Sequence, residues 1–98
     1  MKLKINPQVY DDLADIKEYI AQDSPENAIK VVKKILDDME RLKDFPDSGV
    51  KLSNKLSFDV KHRYIKTFSY ATIYYVEEDS VIVTTVVHFA RDFAALQL

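Results

Sequence analysis

Four side chains in the second half of the chain are of the types that handle anions or protons: Lys61, Arg63, His88 and Arg91. Lysine and arginine hold negative charge, arginine through a planar fork that matches phosphate and carboxylate. Histidine titrates near neutrality and so suits general acid or base work. Arg63 sits in a strand-like run with Lys61 and Ile65 at alternate positions, so the three are expected on one face. His88 and Arg91 close the run Val86-Val87-His88-Phe89-Ala90-Arg91-Asp92. Together the four predict a surface that binds something anionic or polar. In a nuclease, Arg63, His88 and Arg91 would be the catalytic set. No Ser, Cys or carboxylate stands in an evident relation to His88, and a hydrogen-bonded structural histidine is the plainer role for a strand end. For Arg63 the plainer role is an edge charge that discourages pairing with other chains.

Composition narrows the chemistry. The chain has 98 residues, 47% of them hydrophobic, with one Gly and three Pro, which predicts one domain over residues 1–98 with a modest core. It has no cysteine, which excludes disulfides and thiolate zinc sites. Two histidines, His62 and His88, are too few for a self-sufficient metal cage, so neither metal nor cofactor is expected. The N-terminus lacks a signal-peptide core and the apolar runs are too short to span a bilayer, which predicts a cytoplasmic protein with no membrane contact.

A net charge of −2 and a pI of about 5.6 argue against a general nucleic-acid binder. The average hides an asymmetry. Residues 1–50 hold 8 Lys/Arg and 11 Asp/Glu, whereas residues 51–66 hold Lys51, Lys55, Lys61, Arg63 and Lys66 against Asp59 alone. The basic character is local, and a solvated face would also account for it.

Lys2-Leu3-Lys4-Ile5 alternates and reads as a short, half-buried strand. Asn6-Pro7 starts a helix, Asn as N-cap and Pro where no N–H is needed. Val9, Leu13, Ile16 and Ile20 keep its apolar face to about Gln22. Ser24-Pro25-Glu26 repeats the start signal, and Ala28, Val32, Ile35, Met39 and Leu42 line the second helix until Phe45-Pro46. Asp47-Ser48-Gly49 is a turn and residues 50–60 are a weakly patterned connection. About 61–67, 70–76 and 81–88 are rich in β-branched and aromatic residues and read as strands, the last two joined by Glu77-Glu78-Asp79-Ser80. The final strand is apolar on both faces, as in a covered interior strand. The expected fold is α+β, in the order β-α-α-β-β-β. A helix hairpin packs on one face of a small, mainly antiparallel sheet whose other face is open.

Four features carry plainer expectations. Tyr64, Tyr70, Tyr74 and Tyr75 alternate along strands and are expected in packing more than in base stacking. The pairs Asp11-Asp12, Asp37-Asp38 and Glu77-Glu78 are consecutive, do not converge, and are expected to be solvated. Asp92 is expected to cap a short helix of Phe93-Ala94-Ala95-Leu96. The apolar stretch from Phe93 to Leu98 needs a dock, either on the chain's own body or under a partner.

Six short patterns stand in order along the chain: Asp12-Leu13-x-x-Ile16 with Tyr19-Ile20, Ser24-Pro25 with Ala28, and Leu42-x-x-Phe45-Pro46-x-x-Gly49, then Arg63-x-Ile65, Tyr70-x-x-Ile73-Tyr74-Tyr75 and Val87-His88-x-x-Arg91-Asp92. On these the chain resembles the RelE/ParE superfamily of toxins from bacterial toxin–antitoxin pairs. The RelE-like branch cuts mRNA on the ribosome and carries an arginine directly after the tyrosine of the middle strand, where this chain has Ala71. Arg91 matches another RelE-like arginine and Arg63 falls near one of the branch's lysines, so the set is incomplete. His88-x-x-Arg91-Asp92 with an apolar tail is more similar to the ParE-like, plasmid-stabilisation branch, whose members poison DNA gyrase without being nucleases. The resemblance therefore implies a toxin that arrests growth through gyrase, with Lys61, Arg63, His88 and Arg91 as target-binding residues. It also implies a cognate antitoxin as partner, in a homodimer or in a heterotetramer with the antitoxin. The alternatives it leaves are a ribosome-dependent mRNA endoribonuclease, with ribosome and mRNA as partners, and a non-toxic homologue that only binds antitoxin.

Overall fold

The structure, a computed structural model, describes residues 1–54 and 60–96. Lys55 and Asp59 of the basic run and the last two residues of the apolar tail lie outside the described residues. The elements are β1 (Lys2–Ile5), α1 (Pro7–Ala21), α2 (Pro25–Arg41), β2 (Val50–Lys51), β3 (Arg63–Thr67), β4 (Tyr70–Glu77), β5 (Ser80–His88) and α3 (Phe89–Asp92). Single 3-10 turns follow β2 and α3, at Leu52–Asn54 and Phe93–Ala95. The fold is α+β as expected, with the helix hairpin against a five-stranded sheet of order β1-β5-β4-β3-β2. Only β1 runs parallel to its neighbour; the other pairs are antiparallel.

The helices form for the reasons legible in their sequences, with corrections at their ends. Ser24 caps α2 by accepting from the Asn27 N–H at 3.2 Å. Asn6 leads into α1 in an extended conformation but its side chain caps nothing; its carbonyl receives the Val9 N–H instead. α2 ends at Arg41, short of Phe45-Pro46, because the N–H groups of Leu42, Lys43 and Asp44 turn back to carbonyls three residues earlier. Val9, Leu13, Ile16, Ala28, Val31, Ile35, Met39 and Leu42 face the sheet, and Val32 packs at the margin.

β5 lies between β1 and β4, as an apolar strand with two covered faces should. Its helix side presents Val81, Val83 and Val86 to the main core, together with Tyr70 and Tyr74 of β4. Thr84 is an extra residue, since Ile73 pairs with Thr85 and Tyr74 with Val83.

The opposite face is less open than expected. Phe93 and Leu96, with Phe89, fold back over Tyr64, Ala71, Ile73 and Val87, and Leu52 completes this second core. The described part of the tail is thus docked on the chain's own sheet. The short helix expected from Phe93 is the 3-10 turn Phe93–Ala95, and an additional helical turn, Phe89–Asp92, precedes it, capped by His88, which accepts the Arg91 N–H at 3.2 Å. Asp92 caps nothing with its side chain.

Candidate functional site

The four cations and protonatable groups do not converge. Tyr70 pairs with His88 and Tyr74 with Arg63, so the two sites are separated along β4 by roughly 13 Å at the rise of a strand. Each occupies a different environment.

His88 and Arg91 share a groove between α1 and the end of β5. With Asp12, Asp15, Tyr19 and Tyr70 they enclose a cavity volume of about 380 Å3. The Tyr70 ring meets the His88 imidazole edge-on, with centroids 5.5 Å apart. Burial, the leading influence, pushes the Tyr70 phenol up, so it stays a neutral donor. Arg91 lies over the Tyr19 ring, its guanidinium carbon 5.8 Å from the centroid, within cation–π range. It also grips Asp92 with Nε and Nη2, both at 3.1 Å. That hydrogen bond holds the Asp92 carboxyl below its usual range and ties part of the Arg91 charge to its neighbour. The groove offers an exposed cation, an aromatic platform and an imidazole whose Nδ1 is occupied by its capping bond.

Arg63 belongs to the helix side of the sheet and not to the face expected to be open. Its Nη1 donates to the Gly49 carbonyl at 2.9 Å, and Nη2 is 4.0 Å from Asp47. The Tyr74 hydroxyl joins the same knot, accepting from the Gly49 N–H at 2.9 Å and donating to the Pro46 carbonyl at 2.7 Å. The only glycine in the chain is required here, because a Cβ at Gly49 would sit 2.4 Å from the Tyr74 hydroxyl. Arg63 therefore holds the loop after α2 onto the sheet.

Lys61 does not share the face of Arg63, because regular strand geometry begins only at Arg63. Its ammonium stands 4.1 Å from the centroid of Tyr75, on the opposite face. His62 meets the same ring edge-on at 5.1 Å. Burial, helped by the Lys61 charge, pushes the His62 imidazole down and keeps it neutral.

Two carboxylates expected in solvent are structural. The Asp12 carboxylate accepts from the Thr85 hydroxyl and the Val86 N–H, and Asp38 accepts from the Thr67 hydroxyl and the Lys34 ammonium. Burial opposes the charge on Asp38, but the Thr67 and Lys34 hydrogen bonds outweigh it and hold the carboxyl below its usual range. The sequence did carry a signal: Asp12 is four residues before Ile16, which places it beside the buried stripe of α1.

The position of the RelE-like arginine is the most informative single residue. Ala71 is fully buried in the second core, among Tyr64, Ile73 and Phe93. An arginine there would have to displace the tail.

Fold and sites define a small helix-hairpin-on-sheet protein in which His88 and Arg91 line one groove, Arg63 is tied to the loop after α2, and Lys61 lies on the opposite face of the sheet from Arg63. The family model described as the ParE toxin of the type II toxin-antitoxin system, parDE, matches residues 3–93. The chain belongs to that toxin family. Among solved structures, a chain of the chromosomal ParDE TA system from P. aeruginosa shares the fold, with a TM-score of 0.72 at 20% identity. The match covers 90% of this chain and 95% of that one. Comparison with curated proteins gave no match. No helix among the described residues is long and apolar enough to cross a membrane.

Proposed function

We propose that this toxin arrests growth by binding DNA gyrase and trapping it on cleaved DNA, with no covalent chemistry of its own. The observation that carries the reading is Ala71, sealed under Phe93 where a ribosome-dependent nuclease of the superfamily has an arginine. Phosphoryl chemistry needs its cations gathered around the charge that develops in the transition state. Here Arg63 is spent on the Gly49 carbonyl, far from His88 and Arg91. What stays available is a recognition surface: Arg91 over Tyr19, with His88 and Tyr70 behind it. Lys61 on Tyr75 is a second, separate contact. A cognate antitoxin neutralises the toxin by covering the helix hairpin and sheet, in a heterotetramer or with a toxin dimer.

The test is supercoiling by purified gyrase with plasmid and ATP, scored for lost supercoiling and for linear DNA released by detergent. Trapped cleavage that weakens with Arg91→Ala supports the reading and its surface. Growth arrest with gyrase untouched, and with mRNA cut in a translating extract, refutes it in favour of the nuclease. Absence of arrest at high expression would mean a homologue that only binds antitoxin.

A further inference from the structure

The groove of His88 and Arg91 is negative, although those two side chains are of cationic type. Asp12, Asp15 and Asp92 line it against a single guanidinium, Arg91. Arg91 and Asp92 satisfy each other, with Nε and Nη2 both 3.1 Å from the carboxylate. Asp12 accepts from the Gln8 amide, the Thr85 hydroxyl and the Val86 N–H, all neutral donors, so its charge is hydrogen-bonded but not cancelled. Asp15 stands exposed on α1, with neither a hydrogen bond nor an ion pair among the described residues. The His88 imidazole accepts the Arg91 N–H through Nδ1, which only an uncharged ring can do. Three carboxylates against one guanidinium leave an excess of two negative charges.

Tyr70 is an independent sign of a ligand. It is only 7% exposed and lines the groove, where the Arg91 charge acts on its phenol. Its hydroxyl nevertheless has no hydrogen-bond partner among the described residues, and a buried hydroxyl costs free energy until something bonds it. Tyr19 adds a platform. It lies four residues after Asp15, on the same side of α1, and its ring is 59% exposed. Arg91 approaches that ring only to 5.8 Å, near the outer limit of a cation–π contact. The chain thus lays one guanidinium against Tyr19 and leaves Asp15 and the Tyr70 hydroxyl unmet.

We propose that this groove receives an arginine side chain of the target protein, whose guanidinium bonds Asp15 and the Tyr70 hydroxyl and lies beside the Tyr19 ring. The inference rests on the reading that this groove is the gyrase-binding surface, and it names the chemistry that gyrase presents there. A guanidinium fits these groups because its planar fork of donors serves a carboxylate and a phenol oxygen together, and its weak hydration lets it pack on an aromatic face. The cavity of about 380 Å3 has room for it. An acidic or phosphate group would meet an Arg91 already paired with Asp92, and the charges of Asp12 and Asp15 would repel it.

The first test titrates the full chain, isotopically labelled, with N-acetyl-arginine amide. The citrulline counterpart, of the same shape without the charge, and N-acetyl-glutamate amide are the comparisons. Only the arginine compound is expected to shift the resonances of Asp15, Tyr19 and Tyr70. Asp15→Asn should weaken it about tenfold, the loss of one charge-assisted hydrogen bond. Tyr70→Phe should weaken it about threefold and keep the melting temperature, since the hydroxyl it removes has no partner in the fold. The second test uses purified gyrase, where Asp15→Lys is expected to abolish trapped cleavage; a groove that takes an acidic group would trap more strongly with that variant. The proposal is overturned if the arginine compound shifts nothing or no more than citrulline does, if the glutamate compound alone shifts the groove, or if Asp15→Lys strengthens trapping. Failure of the arginine compound while the parent still traps gyrase overturns the proposal and leaves the gyrase reading standing. Arginine bound at Asp15 by a toxin that leaves gyrase untouched supports the groove's chemistry and overturns gyrase as the bearer of the arginine.

Discussion

The Asp12 carboxylate on α1 receives the Thr85 hydroxyl of β5 at 2.6 Å, across the seam between helix hairpin and sheet. The same oxygen accepts the Val86 N–H at 2.9 Å. β1 pairs with β5 only through Val83, so beyond that point the outer edge of β5 has no strand partner among the described residues, and Asp12 supplies an acceptor there. On the other flank Asp38 of α2 receives Thr67 of β3, also at 2.6 Å. Each helix of the hairpin thus sends one carboxylate to one sheet threonine.

Removing the first of these links should be costly. Asp12→Ala leaves a half-buried hydroxyl and N–H without an acceptor and is expected to destabilise by about 1–3 kcal/mol. Urea unfolding reads this as a lower midpoint with an unchanged slope. A change within error would mean that water replaces the carboxylate.

Asp38 predicts the acid behaviour. Its folded pKa lies below the ordinary value, so the folded state holds the charged form more strongly than the unfolded chain does. The stability it contributes is present above the unfolded carboxylate pKa of about 3.9 and is lost as pH falls through the folded value. Asp38→Asn should lower stability at neutral pH and flatten the loss as pH falls below the unfolded carboxylate value of about 3.9. Urea midpoints across that range, compared with the parent, decide it. An unchanged acid slope would assign it to other carboxylates.

Gly49→Ala and Tyr74→Phe test the knot that Arg63 completes. The added Cβ meets the Tyr74 hydroxyl and the Tyr64 carbonyl, at 2.4 and 2.8 Å, so the loop has to move. Tyr74→Phe removes both hydroxyl bonds and leaves the Gly49 N–H and Pro46 carbonyl unpaired. Each change is expected to cost about 1–3 kcal/mol, and each kcal/mol should lower the melting temperature of a domain this size by roughly 4–8 °C. Calorimetry measures both.

Arg63 and Arg91 should separate in opposite ways. Arg63→Ala loses the bond to the Gly49 carbonyl, so its melting temperature should fall while its effect on gyrase per folded molecule persists. Arg91→Ala, at an exposed position whose pair is with adjacent Asp92, should leave stability within about 0.5 kcal/mol and weaken gyrase trapping. The reverse pattern would move the working surface to the Gly49 knot.

Phe93→Ala probes the self-docked tail. Phe93 stacks edge-on to Tyr64 with centroids 4.9 Å apart and closes over Ala71. Its loss should cost about 3 kcal/mol and bare apolar surface, seen as binding of a hydrophobic dye. Retained stability without dye binding would show that the tail contributes little to covering this face.

Much of the framework was determined by the sequence alone. Helical spacing, the Ser24 cap and β-branched runs act through neighbours a few residues apart, so α1, α2 and the three long strands are local in origin. The lone glycine at a turn was visible too, although its reason, the Tyr74 hydroxyl, was not. What the sequence could not supply is every relation that depends on faces meeting across the sheet. Period two placed Lys61 with Arg63, but regular strand geometry begins only at Arg63, and the two side chains serve opposite faces. β2 escaped notice because two residues carry no periodicity; only pairing with β3 makes them a strand. Asp12 and Asp38 read as solvated charges until tertiary packing brought Thr85 and Thr67 to them. The tail's dock was undecided for the same reason: an apolar segment announces that it needs cover, and only the folded chain determines which surface provides it.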